Sequence, residues 1–369
     1  MASNPTTQPF STGKCVTLGS SLVLAALVAL TVQVFYFSPI DPVLLDIAPA
    51  PSTKNNKLQN VSKLGEGLLK QPEDVCFDEE GTLYTTTRDG WIKRLRRNGN
   101  WENWKHVDSH ALLGITAAKD GGLIVCDANK GLLKVTEEGF SVLATQVNGS
   151  PMRFADDVIE ASDGDIYFSD ASTKFGFGNW YLEMLEARPH GRVLKYNPVS
   201  NETTIVLDNL AFANGVALSK DQDYLVVCET WKFRCTRHWL KGANKGKTDI
   251  FIENLPGAPD NINLAPDGSF WIALLQITSE GLGFVHTSKA SKHVVASFPW
   301  LFNLVNGARK SAMVANVATD GKILRTFDDS EGKVLSMVTS AVEFEDHLYL
   351  GSLNTNFVGK LSLHSAQNR

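Results

Sequence analysis

From about residue 70 onward the chain repeats one pattern six times, and this repetition limits its possible folds more than any other feature. Each unit opens on a short apolar run, crosses a turn and enters a second apolar run. The second runs are Gly81-Thr82-Leu83-Tyr84, Gly122-Leu123-Ile124-Val125, Asp165-Ile166-Tyr167-Phe168, Asp223-Tyr224-Leu225-Val226, Ser269-Phe270-Trp271-Ile272 and His347-Leu348-Tyr349-Leu350. Glu80-Gly81, Asp120-Gly121, Asp163-Gly164 and Asp267-Gly268 precede four of them, and turn residues between two β-rich runs signal a hairpin. Third strands follow at 91–95, 132–135 and 192–196, and a fourth at 204–207. With Val75, Ile115, Val158, Val216, Ile262 and Val342 taken as equivalent, most units lie about 40–58 residues apart, near the length of a four-stranded propeller blade.

The fifth interval is longer. Its excess lies within 276–312, where Phe298-Pro299-Trp300-Leu301-Phe302-Asn303-Leu304-Val305 predicts an apolar helix or lid. The last unit is short by a strand, which 63–70 can supply to close the ring and remove exposed sheet edges. The expected fold is therefore all-β: a six-bladed β-propeller over 58–365, preceded by an N-terminal transmembrane helix.

Four first strands begin with Asp, Glu or Asn: Pro72-Glu73-Asp74-Val75, Ala155-Asp156-Asp157-Val158, Ala213-Asn214-Gly215-Val216 and Pro259-Asp260-Asn261-Ile262. First strands of blades line the central channel, so Glu73, Asp156, Asn214, Asp260 and Asn261 should meet at one mouth. Carboxylate and amide oxygens suit Ca²⁺, with Mg²⁺ or Mn²⁺ also compatible. Regular pairing would turn Asp74 and Asp157 the other way, to a second metal site or to turn caps. Asp and Asn also open strands simply because they favour turns, but independent turns need no common residue type in register.

Residues 15–37 carry no charge and would span roughly 35 Å as a helix, enough for a bilayer core of about 30 Å. Phe35, Tyr36 and Phe37 resemble an interfacial belt. Lys14 before the run and Asp41 and Asp46 after it favour a cytosolic tail at 1–14 and a lumenal body, with a signal anchor preferred over a cleaved signal peptide. The proline-bearing stretch 38–57 is expected to be a stalk. A lumenal body would expose the sequons at Asn60, Asn148 and Asn201 to glycosylation. The expected location is the endoplasmic reticulum membrane or the vacuole.

The net charge of −5 argues against a nucleic-acid partner. The one basic cluster, Lys93, Arg94, Arg96 and Arg97, reads as the wet face of an outer strand. No CxxC motif occurs among the five cysteines. Cys76 and Cys126 read as buried thiols, and Cys228 and Cys235 flank a hairpin across which they can pair. GxSxG, HExxH, P-loop and GxGxxG motifs are absent. His110 is a weak candidate for the channel mouth, and Trp180, Tyr181, Trp300 and Phe302 for an apolar substrate pocket.

Phe168-Ser169-Asp170-Ala171-Ser172-Thr173-Lys174-Phe175, Gly191-Arg192-Val193-Leu194-Lys195-Tyr196-Asn197-Pro198, Phe212-Ala213-Asn214-Gly215-Val216-Ala217-Leu218-Ser219 and Leu255-Pro256-Gly257-Ala258-Pro259-Asp260-Asn261-Ile262 resemble plant strictosidine synthase-like proteins, and through them animal adipocyte plasma membrane-associated proteins. The resemblance covers about 60–365. It implies a six-bladed propeller of the secretory system within a superfamily that includes paraoxonases and gluconolactonases. It assigns catalytic-metal ligation to Glu73, Asp156 (an Asn in most relatives), Asn214, Asp260 and Asn261, and structural-calcium ligation to Asp74, Asp157 and the Ile115 carbonyl. Two departures matter. Leu113 stands before Gly114-Ile115, where paraoxonases carry a catalytic His. No Glu occurs in 335–340, where strictosidine synthase has its catalytic acid.

The leading expectation is a lumenal, metal-dependent hydrolase of small-molecule esters or lactones, with Asp260 or Glu73 as general base. A non-catalytic propeller with a stiffening metal is the alternative from another class. Alkaloid-type condensation is a third, disfavoured by the missing Glu.

Overall fold

The computed structural model describes residues 12–45, 54–276, 280–306 and 311–364. Six four-stranded antiparallel sheets form in chain order, each with its first strand innermost. The first strands are Val75–Phe77, Leu112–Ala117, Ala155–Glu160, Ala213–Leu218, Ala258–Leu264 and Val338–Phe344. The six residues expected to be equivalent all line a single cavity in the channel, away from the acidic mouth. They make an apolar ring of Val75, Ile115, Val158, Val216, Ile262 and Val342.

Turn chemistry sets the hairpins. In blade five the Asp267 carboxylate accepts from the Ser269 N–H at 2.9 Å, holding the turn that delivers Phe270–Leu275. Apolar faces then pack between blades. Trp271 of blade five and Leu348, Leu350 and Leu361 of blade six are fully or almost fully buried in one cluster. Burying such side chains contributes about 1.5–3 kcal/mol each. The ring closes as anticipated, although the added strand is Ser62–Leu64, pairing with Val358–Ser362, rather than the whole of 63–70.

The basic cluster departs from its expected wet face. Lys93 and Arg94 are buried in the third strand of blade one, where Lys93 donates to the Leu68 carbonyl and Arg94 pairs with Glu102 and Glu137. Cys76 and Cys126 are buried free thiols. Cys228 and Cys235 are direct cross-strand partners and form a disulfide.

Helices cover the acidic mouth. An N-terminal helix α1 (Thr12–Thr31) is followed by a short π-helical turn to Tyr36. Helix α2 (Trp180–Glu186) is inserted in blade three, with no counterpart in the sequence-based expectation. In blade five the predicted lid is three helices: α3 (Glu280–His286), α4 (Lys289–Ser297) and α5 (Pro299–Asn306). Leu182 and Leu185 of α2, Leu282 of α3, Val295 of α4, Phe302 of α5 and Ile40 share one apolar cluster with Phe154 and Phe212 of the propeller. Among the described residues no helix is long and apolar enough to cross a membrane. On α1, Leu22, Val23, Leu24, Leu27 and Val28 are all more than half exposed.

Residues 38–45, expected to be a stalk, lie against this lid. The backbone N–H groups of Asp41 and Val43 donate to the Glu186 carboxylate at 3.0 Å and the Glu186 carbonyl at 2.9 Å. Arg188 pairs with Asp41, and the Lys292 ammonium donates to the Val43 carbonyl. Glu186 is held in turn by Lys174 and His190. At the stalk's far end, Asn55 and Gln59 bind Asp328 and Asp329. The rest of the stalk, 46–53 with Asp46, and residues 1–11 of the expected tail lie outside the described residues.

Candidate metal centre

The chain converges at the mouth because its first strands are bulged there. Pairing slips between Leu112 and Ile115, Ala155 and Val158, Ala213 and Val216, and Pro259 and Ile262. A bulge bends the strand and re-aims side chains. Both members of Asp156-Asp157 and of Asp260-Asn261 are thereby buried, where strict alternation would separate them. Glycine permits the approach of neighbouring strands. A Cβ at Gly114 would lie 2.6 Å from the Asp157 Cα, and one at Gly215 would lie 2.5 Å from the Asp260 carbonyl oxygen.

Glu73, Asp156, Asn214 and Asp260 line one cavity of about 330 Å³, walled by Phe154, Phe177, Trp180, Phe212, Trp231 and Met337 among others. Asn261 joins them through its Nδ2, 3.3 Å from the Glu73 carboxylate. All five are at most 5% exposed. Among the described residues Glu73 Oε2, Asn214 Oδ1 and Asn261 Oδ1 are buried without any hydrogen-bond partner. Leaving a buried acceptor unpaired costs about 1–3 kcal/mol. Three orphaned oxygens from three blades fit a hard cation, which needs oxygen donors and no protons. No three His, Cys, Asp or Glu side chains among the described residues form a metal-holding group by themselves. Such a grouping omits the two amides that belong to this set.

The electrostatics agree. Burial, then repulsion from Asp74 and Asp260, raises the Glu73 pKa well above the usual carboxylate range. Burial followed by Asp260 does the same to Asp156, opposed by Arg88. Burial pushes Asp260 up to about 7 against a hydrogen bond from Asn214 and the charge of Arg88. Arg88, which sequence reasoning missed, is the only Lys or Arg among the described residues that lines the cavity. Its segment, Thr87-Arg88-Asp89-Gly90, looks like any exposed turn after a second strand, so no signal singled it out.

Asp74 and Asp157 are placed differently. Asp74 accepts from the backbone N–H groups of Val75 and Ile115 at 2.8 and 2.9 Å, and from Ser340. Asp157 accepts from Val158 and Val216, both at 2.8 Å. Each carboxylate thus clasps the next blade, and Ile115 meets Asp74 through its N–H. Asp170 and Glu229 are buried for another reason, being paired with Arg192 and Arg234. His110 is exposed and binds the Arg88 carbonyl, outside the cavity. Of the four candidate aromatics Trp180 lines the cavity, Tyr181 and Phe302 pack behind it, and Trp300 is exposed.

Comparison with known proteins follows the same lines. Residues 156–243 match the family model described as strictosidine synthase, and 51–95 match that of the strictosidine synthase-like N-terminal region. Strictosidine synthase-like protein 4 of Arabidopsis thaliana is 33% identical over 335 residues, covering 88% of each chain. The adipocyte plasma membrane-associated protein of Mus musculus is 33% identical over 355 residues, covering 89% of this chain and 85% of its own. Among solved structures, a gluconolactonase from Xanthomonas campestris superposes with a TM-score of 0.60 at 15% identity, over 87% of this chain and 97% of its own. A calcium-binding regucalcin from Agrobacterium tumefaciens gives a TM-score of 0.57 at 14% identity, over 81% and 92%. At such identities these two likenesses concern the fold alone.

Proposed function

Because the chain belongs to the strictosidine synthase-like family, we propose that its acidic mouth holds a divalent cation, calcium in the first instance, and hydrolyses small ester or lactone substrates. One observation carries the reading: three oxygens from three blades, Glu73 Oε2, Asn214 Oδ1 and Asn261 Oδ1, are buried in one set without a hydrogen-bond partner. The calcium-binding and gluconolactonase descriptions of the two neighbours of like fold support the choice of ion and reaction class.

Glu73, Asp156, Asn214, Asp260 and Asn261 would hold the ion. A divalent cation bound there supplies Lewis-acid polarisation of a carbonyl oxygen. The aromatic wall from Phe154 to Trp231 holds the apolar part of the substrate and excludes bulk water. Asp260 or Glu73 takes the proton of the attacking water. Asp156 adds a negative charge that tightens cation binding and lowers the ion's acidity. The segment 335–340 brings Met337 to the cavity wall and carries no acid, which disfavours a condensation needing one there.

The body of the protein is assigned to the lumen of the secretory pathway, in the endoplasmic reticulum or vacuole, anchored by the N-terminal apolar segment. The Cys228–Cys235 disulfide and the exposure of Asn60, Asn148 and Asn201 support an oxidising compartment with glycosylation. Hydrolysis of phenyl acetate and simple lactones, measured with and without EDTA, tests the chemistry. Turnover should vanish with EDTA, return with calcium and be absent in Asp260→Ala. Turnover indifferent to EDTA would overturn the metal-dependent mechanism, and cation binding without turnover would favour the non-catalytic propeller.

A further inference from the structure

The cage has a charge problem that a divalent ion alone does not solve. Glu73, Asp156 and Asp260 carry three negative charges when ionised, and a divalent cation cancels two. Among the described residues the third has one candidate partner, Arg88, the only basic side chain lining the cavity. Burial lowers the Arg88 pKa, and the charges of Glu73, Asp156 and Asp260 oppose that fall. Among the described residues Arg88 makes no ion pair with any of them. Its Nη1 instead donates to the Leu112 carbonyl at 3.3 Å, and its guanidinium lies 4.7 Å over the Phe177 ring. A backbone carbonyl and an aromatic face thus hold the charge near the acids but off them, leaving their oxygens free. Asp127, the fourth acid in its field, keeps Oδ1 on the Asn129 and Lys130 N–H groups of its own turn, while its Oδ2 is buried without a hydrogen-bond partner and shares the Arg88 charge.

We propose that Arg88 is the fixed counter-charge to the third carboxylate of the cage, setting its net charge at −2 and thereby its selectivity for divalent over trivalent cations. The proposal rests on the cation reading above. Arg88 is a positioning residue here, because it acts on the ion through space and through the carboxylates. At the short separations and intermediate dielectric of a protein interior, one unit of charge is worth about a tenfold or larger difference between ions differing by one charge.

The test uses the full chain with Ca²⁺ and Tb³⁺ as probes. Affinities come from titration calorimetry and from terbium luminescence sensitised by Trp180 and Trp231. Relative to wild type, Arg88→Gln should favour Tb³⁺ over Ca²⁺ by about tenfold or more, and Arg88→Lys should leave the ratio nearly unchanged. Asp156→Asn should shift the ratio the opposite way, and the double variant Arg88→Gln/Asp156→Asn should restore it. Asp156→Asn and the double variant keep the idea testable if Arg88→Gln alone does not fold. An unchanged ratio in the folded single variants would overturn the role of Arg88 while leaving the cation site standing. Failure of the wild type to bind either ion would overturn the site itself.

Discussion

Glu73 and Asp74 are neighbours in sequence, as are Asp156 and Asp157, yet the members of each pair belong to different parts of the molecule. Glu73 and Asp156 line the aromatic cavity, and Glu73 Oε2 has no protein partner. Asp74 and Asp157 take backbone N–H groups from the next blade, Ile115 and Val216. The same residue types at the same depth are therefore ligand candidates in one rank and mechanical clasps in the other. What separates them is the supply of donors. A carboxylate already given protons by the backbone holds the ring together, while one denied them asks for a cation.

The sharpest way to break this contrast is Asp157→Ala. It leaves the Val158 and Val216 N–H groups buried without acceptors, at about 1–3 kcal/mol each. Urea unfolding should show a loss of about 3 kcal/mol, equal in EDTA and in calcium. A loss seen only in calcium would make the clasp rank a second ion site, as the paraoxonase resemblance implies.

The cavity rank should respond in the opposite manner. Free calcium at a hundred times its dissociation constant should stabilise the protein by about 2.7 kcal/mol. Asp260→Asn should remove most of that gain while scarcely harming the metal-free protein, because it relieves like-charge crowding. Calorimetric melting with calcium and with EDTA reads both effects.

Gly215→Ala touches both ranks, since its Cβ would strike the Asp260-Asn261 backbone and the adjacent Val216 N–H is the one Asp157 holds. Overpacking of this kind costs about 1–3 kcal/mol. The same variant should also weaken calcium binding in a titration, which a loss confined to the clasps would not do.

The last contrast is a pH slope in the metal-free protein. The folded Asp260 pKa of about 7 lies above its ordinary 3.8, so the folded state retains a proton that the unfolded chain has lost. The Asp260 contribution to stability should therefore fall as pH rises from about 4 to about 7 and level off above. Asp260→Asn should remove its own share of that slope, leaving the shares of Asp74, whose carboxyl burial pushes up to about 6, and of Glu73, Asp156 and Asp157, which burial also raises.

Much of this was legible in the sequence. Apolar runs spaced by acidic Gly turns announced the blades, and the six residues chosen as equivalent form one channel ring. Glu73, Asp156, Asn214 and Asp260 were found because they share a register position, which survives folding. The orientation of Asp74 and Asp157 was not fixed by alternation, because alternation assumes regular pairing, whereas Asp157 sits in a bulge and Asp74 lies just before its strand begins. Arg88 escaped notice because a lone Arg in a turn is normally solvated, and the ring that half-covers it, Phe177, is far away in the chain. The stalk was misjudged for a similar reason. Prolines suggest an extended segment but say nothing of a Glu186 waiting on another blade.

The grip of Glu186 on residues 41–43 has a further consequence. The N-terminal helical segment ends at Tyr36 and Asp41 is already held, leaving only residues 37–40 between them, a span of roughly 17 Å when fully extended, and of these Ile40 is itself buried and Ser38 is bonded to His293. A body tethered on so short a leash does not tumble freely against its N-terminal helix. If that anchor sits in a bilayer, the cavity stays at a fixed height beside the lipid, and molecules dissolved in the leaflet reach it by a two-dimensional search. The orientation is then settled once, when Glu186 closes on the chain, rather than at each encounter with substrate.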